Sequence, residues 1–138
     1  QPSPRKKTLV ATGTGIVPFL SMLTSLDEER KIIIPTHLFW GLADFEDIFF
    51  EEKLKQLAAR NSCFTYQICL SRAIKGNSQG RQNIHFGRLT KPLLDYLKVR
   101  KNFNSDFYLC GRYPIVEAMK NVLRESNINE ERIFFEKF

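Results

Sequence analysis

Four short segments hold residue types able to bind a small ligand. The first is ATGTGIVPF, residues 11–19. Gly13 and Gly15 permit a tight turn and close backbone approach. A helix beginning there offers N–H groups and a partial positive charge, a ready site for a pyrophosphate. The hydroxyls of Thr12 and Thr14 can donate to phosphate oxygens. Pro18 stands where the third glycine of a GxGxxG fingerprint would be. Taken alone, the segment suits an ordinary strand-to-helix turn equally well. The second segment is Leu70-Ser71-Arg72, followed by Arg81 and Arg88. Arginines with a serine near an adenosine ribose can hold a 2′-phosphate through charge-assisted bonds. Two such bonds, about 1.5–3 kcal/mol each, separate NADPH from NADH by on the order of 100-fold. Solvation of a polar loop accounts for any single one of these arginines as well. The third segment is YLCGRYP, where Cys110 and Gly111 leave space for a flat ring. The fourth is FFEKF at the C-terminus, with Glu136 and Phe138. Cys110 also fits an inert buried thiol, and Phe138 the packed end of a strand.

Other chemistries find no support. No spacing suits a Ser-His-Asp set, a paired-carboxylate site or a Cys-His pair. His37 and His85 lack metal-ligand company, and no CxxC occurs, so no metal is expected. The acidic run Asp44, Glu46, Asp47, Glu51 and Glu52 reads as a helix N-terminus and a solvated face. With 21 Lys plus Arg against 15 Asp plus Glu, the charge of +6 suits an anionic partner. Nucleic acid is not expected, because the chain lacks zinc-finger spacing, an RNA-binding aromatic signature and a long basic helix. Three cysteines, an odd and sparse count, point to a reducing compartment, the cytoplasm. Cys63 and Cys69 lie in one extended segment, roughly 20 Å apart, too far to pair. No apolar run reaches the roughly 20 residues of a membrane span. The start, QPSPRKKT, has no signal-peptide core and no Met, and reads as a piece of something longer.

The elements that must position these residues follow from periodicity. A buried strand is predicted over 7–12 and a helix over 18–29, with Pro18 in its first turn. Strand 36–42, helix 47–60 and the alternating strand 63–70 follow. Residues 73–87 read as a loop rich in Gly, Asn, Ser and Gln. Helix 89–98, strand 106–110, helix 113–126 and strand 132–135 complete the chain. At 138 residues, 43% of them hydrophobic, the chain fits one domain with a real core. The alternation predicts an α/β fold: a three-layer, doubly wound parallel sheet of about five strands, with helices on both faces. Ligands of such sheets bind at the carboxyl ends of the strands, where the strand order reverses.

These pieces, in this order, resemble the NAD(P)-binding domain of the ferredoxin–NADP reductase superfamily. ATGTGIVPF resembles the pyrophosphate turn of that family, in which Pro is the expected residue at position 18. FWGLADFEDIFFEEKLKQLA resembles its second strand and helix, YLCGRYPIVEAM its Cys-Gly motif, and FFEKF its end. One such match is weak; four in order, spread over nearly the whole chain, carry the resemblance.

The resemblance implies roles. Thr12, Gly13, Thr14, Gly15 and Pro18 would cradle the pyrophosphate. Ser71 and Arg72, with Arg81 as a further contact, would meet a 2′-phosphate, which inclines the choice slightly to NADPH over NADH. Cys110 and Gly111 would flank the nicotinamide, Glu136 would lie near the active site, and Phe138 would cover the flavin. Asn83 stands where plant-type reductases place a Tyr on adenine. Some NADH-using oxygenase reductases also carry Ser-Arg after the third strand, which leaves the choice of nucleotide open. The family's FAD-binding barrel is missing, and residues 1–6 fit the hinge after it, with 7–138 as the NAD(P)-binding domain. The implied function is to position nicotinamide for hydride transfer to FAD, with electrons passing to a ferredoxin, flavodoxin or oxygenase component. The chain alone is expected to bind nucleotide but catalyse little. The other reading is a nucleotide-sensing module of the same fold with no redox role.

Overall fold

The computed structural model describes residues 5–74, 81, 83–99 and 104–137. Its centre is strand β1 (Lys6–Thr12), in which Leu9, Val10 and Ala11 are all buried. A strand buried on both faces reads as a continuous apolar run, as here. Helix α1 (Ile16–Glu28) returns the chain to β2 (Thr36–Leu42), and α2 (Glu51–Arg60) leads to β3 (Phe64–Leu70). A short strand β4 (Ile84–Phe86) and helix α3 (Thr90–Val99) come next. Then follow β5 (Ser105–Gly111), α4 (Tyr113–Glu125) and β6 (Ile133–Lys137). The six strands form one sheet in the order β4-β3-β2-β1-β5-β6, and every adjacent pair is parallel.

Two cores flank the sheet, one for each pair of helices. On one face, Leu20 and Leu23 of α1 and Leu54 and Leu57 of α2 pack with Leu9, Leu38, Trp40 and Ile68. On the other, Leu93 and Leu97 of α3 and Val116, Met119 and Leu123 of α4 pack with Val10, Phe39 and Leu109. The spacing of three and four residues puts each set on one helical stripe. Each such buried side chain contributes about 1.5–3 kcal/mol. The ends of α1 and α2 are tied by buried Asp27, which pairs with Arg60 at 3.3 Å and accepts from Asn61 at 2.9 Å. Strands β1 and β5 are stitched by a hydrogen bond between the Thr8 and Ser105 hydroxyls, 2.9 Å long and 97 residues apart in sequence.

The predicted layering is present, with one strand more than expected. β4 lies within the segment read as a loop, and its three residues pair with Ile68–Leu70. The helix predicted over 47–60 is divided. Asp44 and Asp47 form a reciprocal capping box around a single 3₁₀ turn, Phe45–Asp47, and α2 starts only at Glu51. Phe50 between them has φ 59°, a left-handed conformation that interrupts the helix. Among the described residues no helix is long and apolar enough to cross a membrane.

Candidate functional site

From β1 the chain steps to β2 and β3 on one side, while β5 and β6 lie on the other. The order therefore reverses at the β1/β5 boundary, and the switch-point crevice of a sheet of this kind belongs at the carboxyl ends there. The turn Gly13–Gly15 sits in that crevice as one turn of 3₁₀ helix running into α1. Gly13 has φ +53°, which a side chain would strain. Gly15 is required for a different reason: a Cβ there would lie 2.3 Å from the Cys110 carbonyl oxygen. The indole N–H of buried Trp40 donates to the Gly13 carbonyl at 3.0 Å and fixes the turn from below. No side chain caps α1, and its first turn carries no acidic residue. Among the described residues nothing offsets the partial positive charge of that end. Thr14 and Pro18 are exposed there, Pro18 as the third residue of the helix.

The Thr12 hydroxyl occupies the space that a side chain at Gly111 would take, 2.2 Å from that Cβ position. It is buried and has no hydrogen-bond partner among the described residues. An unmet buried hydroxyl costs about 1–3 kcal/mol. Such an orphan at the switch point fits a site completed by a polar ligand. Thr12→Val is therefore expected to leave the free fold as stable or up to about 1 kcal/mol more stable, while weakening dinucleotide binding about 3- to 10-fold. Urea unfolding and calorimetric titration together check the opposed signs.

Across the crevice, Cys110 is register partner to Ala11 on one side and to Glu136 on the other. Burial, and next the Glu136 carboxylate, push its thiol pKa upward. The sulfur therefore stays protonated at neutral pH and is a poor nucleophile. What Cys110 and Gly111 offer is a small, uncharged wall. Glu136 is exposed, and beside it Phe134 stacks on Tyr108 with centroids 5.0 Å apart. Phe138 lies outside the described residues.

On the far side, the ends of β2 and β3 are linked by the Ser71 N–H to the Leu42 carbonyl and the Arg72 N–H to the Ala43 carbonyl. Ser71 and Arg72 are exposed at this rim. An open cleft of about 420 Å³ lies there, lined by Asp44, Phe45, Glu46, Arg72 and Arg81 among others. From β5 to β3 is three strand intervals, about 14 Å. The glycine turn thus stands between a small-residue wall and a charged cleft along one rim. The predicted residues Thr12, Gly13, Gly15, Cys110 and Gly111 come together in the crevice, and Arg72 and Arg81 line the cleft, with Ser71 next to Arg72 in the chain but not in its lining. Sequence reasoning missed Trp40, Phe45 and Glu51. Only the position of Trp40 at the end of a predicted strand hinted at its reach to the turn.

The oxidoreductase NAD-binding domain family model matches residues 9–121. The chain is 31% identical over 134 residues to the toluate 1,2-dioxygenase electron transfer component of Pseudomonas putida, covering 97% of this chain and 37% of that protein. It is 32% identical over 134 residues to the anthranilate 1,2-dioxygenase electron transfer component of Acinetobacter baylyi, with the same coverage. The chain thus spans little more than a third of the length of these curated relatives. Among solved structures, a cytochrome P450 reductase from Amycolatopsis superposes with a TM-score of 0.80 at 20% identity, over 100% of this chain and 39% of that one. Ferredoxin-NADP+ reductase from Plasmodium falciparum, solved with 2′P-AMP, gives a TM-score of 0.67 at 19% identity, over 98% of this chain and 53% of that one. These two likenesses concern the fold alone. The family match runs from the middle of β1 into α4 and so takes in the turn, the cleft and the Cys-Gly wall: the chain belongs to the oxidoreductase NAD-binding domain family.

Proposed function

We propose that this chain is the dinucleotide-binding half of a flavin-dependent reductase and holds NAD(P)H along the carboxyl rim of its sheet. The observation that carries the reading is the crevice at the strand-order reversal, where the glycine turn meets the Cys110–Gly111 wall over an unpartnered Thr12 hydroxyl. In this reading the pyrophosphate lies on the Gly13–Gly15 turn, with Thr12, Thr14 and Pro18 around it. The nicotinamide lies against Cys110 and Gly111. Neither side chain reacts; both give a flat ring room and keep one face open for hydride transfer. Positioning is then the main contribution of the protein, because reacting atoms must approach within about 3–3.5 Å. The adenosine end enters the cleft, where Ser71 and Arg72 give NADPH a contact that NADH lacks.

The flavin, FAD, would be held mainly by a companion barrel, and when bound it supplies a hydride acceptor that releases electrons singly. On this chain, Glu136 and exposed Phe134, stacked on half-buried Tyr108 beside Cys110, suit the meeting surface. After the toluate and anthranilate relatives, we take the final acceptor to be an oxygenase component.

Calorimetric titration with NADPH and NADH tests the reading. Both are expected to bind. Arg72→Ala is expected to weaken NADPH about 10-fold and NADH less than twofold, since only a 2′-phosphate needs the guanidinium. Equal weakening removes Arg72 as a contact to the 2′-phosphate. No binding of either nucleotide removes the reading itself.

A further inference from the structure

The cleft beyond β2 and β3 carries two cations, Arg72 and Arg81, and they are not equivalent. The Nε–H of Arg81 is shared between both carboxylate oxygens of Glu51, at 3.1 Å each. The guanidinium also lies 5.2 Å from the centroid of the Phe45 ring, which is set edge-on to Phe86 at 6.1 Å. The side chains of Arg81 and Glu51 are only 24% and 20% exposed. A pair so far removed from water is weakly screened and holds its geometry. Glu51 is also the first residue of α2, where the helix dipole favours a negative charge. The charge of Arg81 is therefore balanced before any ligand arrives. The other charged groups lining the cleft are Asp44, Glu46 and Arg72, a balance of one negative charge. Arg72 is exposed and forms no ion pair among the described residues. A 2′-phosphate, with a charge of roughly −1.5 to −2, meets one available guanidinium and two carboxylates. A ribose diol can instead donate to an acidic side chain at such a rim.

We propose that Glu51 is a specificity-determining residue: by holding Arg81 it keeps a second guanidinium from a 2′-phosphate and leaves this chain with little discrimination between NADPH and NADH. The inference rests on the reading that the cleft takes the adenosine end of the dinucleotide. It makes Glu51 a positioning residue that touches neither nucleotide.

The test is the ratio of dissociation constants for NADPH and NADH, measured by titration calorimetry on the full chain. The unaltered chain is expected to bind both within about threefold of each other. Glu51→Gln, close in shape but uncharged, is expected to tighten NADPH about 10-fold and to change NADH less than twofold. Adding Arg81→Ala to Glu51→Gln should erase that gain. Glu51→Ala gives a second route to the same release, with retained NADH binding as the sign of an intact fold. A ratio that Glu51→Gln and Glu51→Ala both leave unchanged, with NADH still bound, overturns the role of Glu51 alone. A gain that survives Arg81→Ala also overturns it. Absence of binding by the unaltered chain to either nucleotide overturns the underlying reading.

Discussion

Gly15→Ala is expected to lower dinucleotide affinity by more than about 100-fold and to destabilise the fold by about 3 kcal/mol, the upper end of the cost of overpacking. The added carbon would lie 2.3 Å from the Cys110 carbonyl oxygen and 2.7 Å from its carbon. Those are backbone atoms of β5, held between β1 and β6, so neither side can yield cheaply. To relieve the clash, the turn must lift away from β5, which opens the crevice at the point where the pyrophosphate and nicotinamide would join. Gly13→Ala provides the contrast. A Cβ there meets nothing within 4 Å, and the cost comes from φ +53° alone, about 1–2 kcal/mol. Denaturant unfolding and nucleotide titration of both variants check the order. Near-native binding by Gly15→Ala would mean that the turn is not part of the site.

Trp40→Ala is expected to cost about 3–5 kcal/mol, comparable to much of the total stability of a small domain. The side chain is fully buried, meets Phe49 edge-on at 5.0 Å and lies in the core beneath α1 and α2. Trp40→Phe separates packing from hydrogen bonding. It keeps an aromatic ring but leaves the Gly13 carbonyl without the indole N–H, for about 1–3 kcal/mol. Because that bond fixes the turn, Trp40→Phe should also weaken nucleotide binding in chains that remain folded. Unfolding midpoints together with affinities measured well below them test this. Unaltered affinity in Trp40→Phe would show that the turn holds its shape without the indole.

The parts legible in the sequence are those written in local chemistry. Leu9-Val10-Ala11 announces a strand buried on both faces; Ile115, Met119, Val122 and Leu123 announce a helix with one apolar side, of which Met119 and Leu123 are buried while Ile115 is exposed and Val116 takes the buried place beside it. The turn was legible because glycine and threonine at fixed offsets have a backbone meaning. β4 was hidden because three residues are too few to show a period, although Ile84 and Phe86 do alternate about His85. The break before α2 was hidden because Ile48, Phe49 and Phe50 continue an apolar pattern while the backbone of Phe50 turns left-handed. The partners of Arg81 were illegible for a different reason. Glu51 stands 30 residues earlier, and only the tertiary fold brings the two together. Arginines at a sheet rim read from sequence as phosphate ligands; whether their charge is already balanced depends on neighbours that local pattern does not encode.

The Thr8–Ser105 stitch has a consequence for how the chain comes to be folded. The central strand needs a neighbour 97 residues downstream before its second edge is filled. At a synthesis rate of about 5–20 residues per second, that neighbour leaves the ribosome roughly 5–20 s later. Meanwhile β1 can pair with β2, but its other edge stays open to whatever extended segment comes near. High contact order of this kind slows folding and lengthens exposure to wrong pairing. Nascent chains truncated before Ser105 should therefore be the aggregation-prone species, and a chaperone that shields one strand edge would help this topology most during that interval.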